Sequence, residues 1–299
     1  MSDQTENLPT SISSREFEKL LTEMRPDLHR YCARMTGSVP DGEDVLQETY
    51  TRAYELVSKQ DQISNLRGWL YRIAHNKAID YLRASKIRQT EELDDELLAT
   101  EPDQPLEDKE LAEMTMSVFL KLPPMQRGAV ILKDVLDYSL KEISGFLDIN
   151  ISSVQGALHR GRSNLRAFAT GSKEEPQPLQ KREMQLLEKY VARFSARDFD
   201  ALREMLAEDV RLDLVGREQL VGEKVGIYFG NYNKLRDWQL TLGKVERRPA
   251  ILVYDPENLE GPPIYCMFIQ WSSSDEVTKI YDFRYARYVM QDAEVSTIL

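Results

Sequence analysis

An acidic, proline-containing segment in the first half of the chain limits what the chain can fold into. Residues 91 to 113, EELDDELLATEPDQPLEDKELAE, hold eleven carboxylates against Lys109 alone. Like charges at this density repel one another and resist burial, and Pro102 and Pro105 interrupt helical periodicity. We therefore expect a solvated linker, with a separate hydrophobic core in each flanking part of the chain.

A second break lies at GSKEEPQP, where Gly, two Pro and several charges interrupt a helical pattern. Before it, apolar residues recur at spacings of three and four, which is typical of helices. After it, an opening helix around MQLLEKYVARFSARDFDALREML precedes IYCMFIQW and VTKIYDFRYARYV, which are rich in strand-forming residues. The predicted order is an all-α domain (14–90), the acidic linker (91–113), a second all-α domain (114–170), a short linker (171–178) and an α+β domain (179–299).

The net charge of -11 for 299 residues belongs mostly to the acidic segment. Eleven carboxylates and one lysine give that segment -10, which leaves about -1 for all other residues. The acidity therefore does not exclude nucleic acid as a partner. No apolar run approaches the roughly 20 residues of a membrane helix, and the polar start MSDQTENLPTSISS is unlike a signal peptide. We expect a cytoplasmic protein without membrane contact.

The two cysteines argue against a disulfide framework or a zinc site. Cys32 and Cys266 lie far apart and form no CxxC pattern. We expect both to be small buried side chains, and we predict no metal and no cofactor.

The stretch YSLKEISGFLDINISSVQGALHRGRSNLR has the spacing of a helix-turn-helix unit. Ser139 and Glu142 form a capping box, and the following Asp148 tolerates the left-handed backbone of a tight turn. Asn150 or Ser153 would cap the second helix. The side chains expected to face inward are Val154, Leu158 and Leu165; those expected to face outward are Ser152, Gln155, Gly156, His159, Arg160 and Arg162.

Two interpretations of this second helix remain open on spacing alone. It is either a helix that enters the major groove of DNA or part of an ordinary helical hairpin with a basic, solvated face. Residues 150–173 contain no carboxylate, and duplex phosphates disfavour acidic side chains whereas solvent does not. This favours the DNA-binding interpretation.

A second basic stretch, residues 66–88, sets six Lys and Arg residues against Asp80 and interleaves them with aromatic rings. Cations beside exposed rings suit an opened DNA strand, although we expect Trp69 to be a core residue. Upstream, DGEDVLQETYTRAYEL places polar side chains on one helical stripe, and such a stripe is most often only solvated surface. Its members are Asp44, Gln47, Glu48 and Arg52.

Together these stretches resemble regions 2 and 4 of the extracytoplasmic-function (ECF) sigma factors. DGEDVLQETYTRAY with LRGWLYRIAHNKAIDYLR resembles region 2, and LPPMQRGAVILKDVLDYSLKEISGFLDINISSVQGALHRGRSNLR resembles region 4. The resemblance implies a bacterial, non-enzymatic factor that binds core RNA polymerase, through the clamp helices and the flap of its large subunits, and recognises and melts promoter DNA. The acidic linker fits it too, because linkers in this family run through polymerase channels that accept polyanions.

The resemblance also implies roles for individual residues. The stripe of Asp44, Gln47, Glu48 and Arg52 would dock on polymerase. The −10 element would be contacted by Asn76, Lys77, Asp80 and Arg83, and the −35 element by Ser152, Ser153, Gln155, His159, Arg160 and Arg162. The chain departs from the family at Gln155 and Ala157, where members often carry Lys and Arg, and at Asp148, where a Gly is common. These departures affect potential base and phosphate contacts.

The third block resembles the SnoaL-like branch of the cone fold shared with nuclear-transport-factor-like proteins. The resemblance lies in a helix leading into AEDVRLDL, followed by GREQLVG and late strands ending DFRYARYV. In similar sigma factors such a fused domain is thought to regulate activity in place of a separate anti-sigma protein. An unidentified small ligand of this domain is a further candidate partner.

Candidate pocket residues in this block are Asp213, Asp282 and Arg284. If a strand continued through them, Ile280, Asp282, Arg284 and Ala286 would share one face. The alternative is a self-satisfied Asp282–Arg284 ion pair. Four aromatic residues would line a pocket or form a β core: Tyr228, Trp238, Tyr265 and Trp271.

Two other functions remain open on the sequence. One is a cone-fold isomerase or cyclase tethered to a DNA-binding module, for which substitution of Asp213 or Asp282 would abolish turnover. The other is a simple helix-turn-helix regulator, which has no use for the region 2 stretches.

Overall fold

The protein divides into two compact units, Met1–Gly171 and Ser172–Leu299, in a computed structural model. The structure describes residues 13–57, 63, 65–89, 116–169, 178–291 and 293–298. The predicted acidic linker, 91–113, lies outside the described residues, as do 171–177 of the second linker. The predicted domain boundaries stay predictions.

The described part of the first unit is helical, as predicted. Three long helices come first: α1 (Ser14–Thr36), α2 (Val39–Val57) and α3 (Leu66–Gln89). Four more follow: α4 (Met116–Leu120), α5 (Pro124–Val130), α6 (Leu140–Leu147) and α7 (Ile151–Ala169). A π-helical turn, Ile131–Val135, continues α5.

Helices from both ends of this unit share one hydrophobic core. Phe17, Leu21 and Met24 of α1 are buried, and their spacing of four and three is typical of the apolar face of one helix. The same core contains Phe119 of α4 and Val130 of α5. The two predicted helical domains are therefore packed together in this structure.

The second unit begins with two helices where the sequence suggested one. Helix α8 (Pro178–Ser195) ends before Arg197, whose backbone is left-handed, and Asp198 then caps α9 (Phe199–Arg203). A short side chain that caps a helix, preceded by a left-handed residue, restarts the chain in a new direction.

In the described residues of this unit, seven strands and one further α-helix follow. They are β1 (Leu206–Leu214), β2 (Glu218–Val221), α10 (Val225–Lys234), β3 (Gln239–Val245), β4 (Arg248–Tyr254), β5 (Tyr265–Trp271), β6 (Val277–Asp282) and β7 (Val295–Thr297). The sheet order is β2-β1-β6-β5-β4-β3-β7, and β1 pairs with β6 in parallel while the other pairs are antiparallel.

One face of this sheet packs against α8 and α10. Tyr190 and Phe194 of α8 and Phe229 of α10 meet Ile251 and Val253 of β4 in one core. The α+β class is confirmed, and a single mixed sheet with helices on one face fits the SnoaL-like cone fold inferred from the sequence.

Candidate nucleic-acid interface

The predicted helix-turn-helix unit is present as α6, a tight turn and α7. The capping box at its start is confirmed: Ser139 Oγ accepts a hydrogen bond from Glu142 N at 3.3 Å, and Glu142 Oε2 accepts one from Ser139 N at 2.9 Å. These bonds lower the pKa of Glu142. Asp148 ends α6 with φ 59° and ψ 41°, the left-handed backbone expected of it.

Asn150 caps α7. Its Oδ1 accepts hydrogen bonds from Ser153 N at 2.8 Å and from Ser152 Oγ at 2.6 Å. This settles which of the two candidate caps acts here. The cap satisfies a free amide at the helix start and fixes the direction in which α7 leaves the turn.

The inward and outward faces of α7 are largely as predicted. Val154, Leu158 and Leu165 are buried against the core. The outward candidates Ser152, Ser153, Gln155 and Arg160 are exposed, and His159 is half-buried. A polar, acid-free surface therefore faces away from the core along the first half of α7.

Arg162 is a correction to this set, because its side chain is buried and does not face outward. Its Nη2 lies 2.7 Å from Asp134 Oδ1, and its Nε donates to Asp134 Oδ2 at 3.0 Å. Only 9% of the Arg162 side chain and 5% of the Asp134 side chain are exposed. Arg162 lies four residues after Leu158 and three before Leu165, so helical spacing alone puts it on the inward stripe.

Further contacts seat α7 on α5. Asn164 Nδ2 donates to Gln126 Oε1 at 3.0 Å, and both side chains are buried. Gly161 faces α5 so closely that a Cβ there would lie 2.7 Å from Val130 Cγ2. Sequence reasoning missed Asp134 and Gln126, which hold the inner side of α7 in a fixed orientation.

The candidate −10 residues lie on the outer side of α3. Asn76, Asp80 and Arg83 are exposed, and Arg83 Nη1 lies 3.9 Å from Asp80 Oδ1. Lys77 is half-buried, and its Nζ donates to Glu48 Oε2 at 3.1 Å. Trp69 packs against the core, as predicted.

The candidate polymerase stripe lies on α2. Glu48 and Arg52 are exposed, Asp44 and Gln47 are half-buried, and Arg52 Nη1 donates to Glu55 Oε2 at 2.9 Å. Beneath the stripe, Glu43 is fully buried. It accepts hydrogen bonds from Gln47 Nε2 at 3.0 Å and from Arg25 Nη2 at 2.5 Å. The stripe thus rests on a buried ion pair that the surface pattern did not reveal.

Asp282 in the second unit is enclosed between the sheet and α10. Its Oδ2 accepts hydrogen bonds from Tyr232 Oη at 2.7 Å and from Tyr228 Oη at 3.1 Å, and its Oδ1 accepts one from Arg284 N at 2.9 Å. Burial raises the pKa of Asp282, although these hydrogen bonds oppose the shift.

Arg284 lies beyond the end of β6, so the predicted strand face does not extend to it. Its guanidinium donates to Tyr265 Oη at 3.0 Å and to Asp237 Oδ2 at 2.5 Å. The side chains of Asp282 and Arg284 therefore have separate hydrogen-bond partners, and the predicted self-satisfied pair is not what the structure shows. Tyr232 Oη lies 3.0 Å from Tyr265 Oη and links the two groups.

Asp213 and Asp282 lie on opposite faces of the sheet. In the parallel β1–β6 register, Leu212 is level with Ile280, both in the core beneath the helices, while Asp213 is level with Tyr281. Successive side chains on a strand point to opposite faces. Asp213 Oδ2 instead lies 3.5 Å from Lys279 Nζ. The prediction that these two carboxylates share a pocket is wrong.

The aromatic candidates of this unit are core residues. Tyr228, Trp238 and Tyr265 are buried in the hydrophobic cluster, and Trp271 packs against it. Burial raises the pKa of Tyr265 to about 12. Cys32 and Cys266 are free and buried, as expected.

Two family models match the chain: Sigma-70 region 2 at residues 20–87, and Sigma-70 region 4 at residues 113–165. The ECF RNA polymerase sigma factor SigW of Bacillus subtilis is 32% identical over 164 residues, which cover 50% of this chain and 87% of SigW. The chain belongs to the ECF sigma factors. This confirms the family inferred from the sequence.

Another relative extends the match beyond region 4. SigG, an ECF sigma factor of Mycobacterium tuberculosis, is 29% identical over 228 residues, which cover 67% of this chain and 62% of SigG. Among solved structures, the ECF sigma factor SigJ of the same species matches with a TM-score of 0.34 and 17% identity, covering 92% of this chain and all of SigJ.

As an ECF sigma factor, the protein binds core RNA polymerase and promoter DNA and acts in transcription initiation rather than as an enzyme. Neither the tethered enzyme nor the simple helix-turn-helix regulator accounts for a match to region 2. In the part of the chain that the structure describes, no helix is long and apolar enough to cross a membrane.

Proposed function

We propose that this sigma factor contacts its promoter through two helix surfaces of the first unit. On α3, Asn76, Lys77, Asp80 and Arg83 would contact the −10 element. On α7, Ser152, Ser153, Gln155, His159 and Arg160 would contact the −35 element. Arg162 leaves this set, since its buried pair with Asp134 holds it away from the surface.

One observation carries the proposal for α7. The helix contains no acidic side chain, and Ser152, Ser153, Gln155 and Arg160 on the outer side of its first half are exposed and polar. Hydroxyls, an amide and a guanidinium are the groups that donate hydrogen bonds to base edges and phosphates in a major groove.

Polymerase would bind the stripe of Asp44, Gln47, Glu48 and Arg52 through its clamp helices, and region 4 through the flap of a large subunit. The ion pair between Glu48 and Lys77 supports a shared role for α2 and α3, because a partner that engages Glu48 would release Lys77 for DNA. The proposed location is the cytoplasm, where a bacterial polymerase works.

The second unit would regulate initiation. It has a hydrophobic core of its own, so it can be removed without opening the core of the helical unit. Regulation requires that this domain favour one arrangement of regions 2 and 4 over another.

Run-off transcription by purified core RNA polymerase tests these roles. The template is the promoter upstream of the protein's own gene. Arg160→Ala should weaken initiation by roughly 5- to 150-fold, the equivalent of about 1 to 3 kcal/mol for a lost base contact. The matched control is Lys19→Ala, which removes an exposed cation of α1 and should change nothing. Equal losses in both variants would contradict the proposal for α7.

The same assay tests the second unit. Truncation after Gly171 should change the amount of transcript, and the sign of the change gives the sign of regulation. Unchanged transcription across several promoters would rule out a regulatory domain.

A further inference from the structure

Two glycines lie inside α7, and their surroundings differ. A Cβ on Gly161 would lie 2.7 Å from Val130 Cγ2, so the packing of α7 against α5 leaves no room for a side chain there. Gly156 lies on the outer side of the helix and is half-buried. Apart from the backbone of α7 and the adjoining residues, the three atoms nearest to a Cβ on Gly156 all belong to the guanidinium of Arg160, and Nη1 comes closest at 3.3 Å. Packing explains Gly161 but not Gly156, because a flexible guanidinium can move aside.

Gly156 lowers the stability of α7 without a gain in packing. Glycine is the least favourable residue in a helix interior after proline, since it loses the most backbone freedom on folding. The backbone at Gly156 is right-handed helix, so no left-handed conformation requires a glycine there. The other use of a residue without a side chain is the close approach of the backbone to a ligand.

The position of Gly156 indicates which ligand this is. Ser152 precedes it by four residues and Arg160 follows it by four, so the three form one stripe along α7. Gln155 lies beside this stripe, and the side chains of Ser152, Gln155 and Arg160 are exposed. Gly156 is therefore at the centre of the surface proposed to contact the −35 element.

The polar side chains of this surface differ in length. Ser152 and Gln155 are short, and they can bond to base edges only when the α7 backbone lies deep in the major groove. The longer side chain of Arg160 reaches bases or phosphates from farther away. A side chain at position 156 would stand between the backbone and the bases and would hold the short side chains away from them.

We infer that α7 comes closest to the −35 duplex at Gly156, and that the missing side chain there lets Ser152 and Gln155 reach base edges. Gly156 is thus a positioning residue for recognition of the −35 element. The inference rests on the proposed role of α7 in that contact. In the bound state the guanidinium of Arg160 leaves Gly156 and turns toward DNA, as an exposed side chain can do freely.

Two substitutions of increasing size at position 156 of the full-length chain test the inference. The measured quantity is the affinity of the holoenzyme, formed with core RNA polymerase, for a fluorescently labelled duplex of the promoter upstream of the protein's own gene. Gly156→Ala should weaken binding at least about fivefold, as for one lost base contact, and Gly156→Leu should weaken it more. Both new residues favour helix more than glycine does, so the midpoint of urea unfolding should rise. A merely structural role would change affinity and stability in the same direction.

The matched control is Gly230→Ala in α10. Gly230 also lies inside a helix, and a Cβ there would meet no described atom within 4 Å outside its own helix backbone and chain neighbours. This variant should be more stable and should bind the promoter as the wild-type chain does. Unchanged promoter affinity of Gly156→Ala overturns the inference. Equal losses of affinity in the two variants also overturn it, because the loss would then follow helix stability and not DNA contact.

Double variants show which side chains depend on Gly156. When an added side chain holds α7 away from the bases, Gln155 no longer reaches them. Gln155→Ala should therefore cost much less affinity in the Gly156→Ala background than in the wild-type chain, whereas Arg160→Ala should cost about the same in both. The reverse pattern would mean that Gly156 acts only through Arg160, and it overturns the inference.

These measurements also distinguish failure of the inference from failure of the proposed function. If Gln155→Ala and Arg160→Ala weaken promoter binding but Gly156→Ala does not, the −35 contact of α7 stands and the inference about Gly156 fails. If none of the three single variants weakens binding, α7 does not contact the −35 element, and the proposed function of this helix fails as well.

Discussion

In the helical unit the side chains proposed to meet DNA lie on the outer surfaces of α3 and α7, whereas in the α+β unit the titratable network around Asp282 is enclosed between α10 and the sheet. In the first unit the buried side chains of Arg162 and Glu43 are paired with the opposite charges of Asp134 and Arg25. In the second unit the buried carboxylate of Asp282 is instead held by tyrosine hydroxyls and a backbone amide. The ion pairs of the first unit fix the orientation of a surface, whereas the hydrogen bonds around Asp282 lie in the interior of the second unit. Substitutions in the two units should therefore have different effects.

The largest effect is expected from Asp134→Ala, which leaves the buried guanidinium of Arg162 without this carboxylate. The cost to the free energy of unfolding should be about 3 to 5 kcal/mol. Urea unfolding followed by far-UV circular dichroism measures it, because the affected unit is helical. The double variant Asp134→Ala with Arg162→Met should recover most of the loss. A change below about 1 kcal/mol would show that the pair does not hold α7.

Tyr232→Phe should come next, since it removes the 2.7 Å hydrogen bond to Asp282. Hydrogen bonds to charged groups contribute about 1.5 to 3 kcal/mol. Burial raises the pKa of Asp282 above the ordinary 3.8, so stability falls as pH rises from that value through the raised pKa. The lost bond lowers that pKa in the wild type, so its removal raises the pKa further. The deficit of the variant should therefore be larger at pH 7 than at pH 4.

Guanidinium unfolding followed by tryptophan fluorescence at these two pH values measures the deficit, because Trp238 and Trp271 both lie in this unit. Tyr285→Phe, at an exposed ring, is the matched control. Identical deficits at both pH values would mean that Asp282 does not titrate as its surroundings indicate.

A smaller effect is expected at the start of α6. Ser139→Ala removes the capping hydroxyl and should lower the free energy of unfolding by about 1 kcal/mol, whereas Ser139→Thr keeps a hydroxyl and should lose less. The same urea titration compares the two variants. If both variants lost the same free energy of unfolding, the effect would not come from the capping hydroxyl.

The smallest effect on stability is expected from Glu48→Gln. Its ion pair with the half-buried Lys77 lies at the surface, and such pairs contribute less than about 1 kcal/mol. Unfolding should hardly change, whereas binding to core polymerase, measured by fluorescence anisotropy of the labelled chain, should weaken. A large loss of stability with unchanged polymerase binding would show that Glu48 does not belong to the proposed polymerase-binding stripe.

The helical unit was more predictable than the α+β unit because its signals are local. The capping box of Ser139 and Glu142, the left-handed turn at Asp148 and the inward stripe of α7 each involve residues within a few positions of one another. Arg162 was assigned wrongly because a charged residue was assumed to face water, although its spacing placed it inward. Its partner Asp134 lies 28 positions away, and no local pattern joins them.

In the α+β unit the sequence indicated strands and candidate carboxylates but not their faces. Which face Asp213 takes depends on the register of β1 against β6, and these strands are far apart in the chain. The end of β6 at Asp282 also left Arg284 outside the expected strand face. Register and strand ends arise from tertiary pairing, which single-sequence patterns do not contain.

The parallel β1–β6 pair has a consequence for the order in which the chain acquires structure. Residues 206–214 cannot pair with residues 277–282 until more than sixty further residues have been added. Every helix of the first unit precedes β1 in the chain. As the chain leaves the ribosome, the helical unit can therefore fold before β6 has been synthesised, and the sheet is completed only near the end of translation.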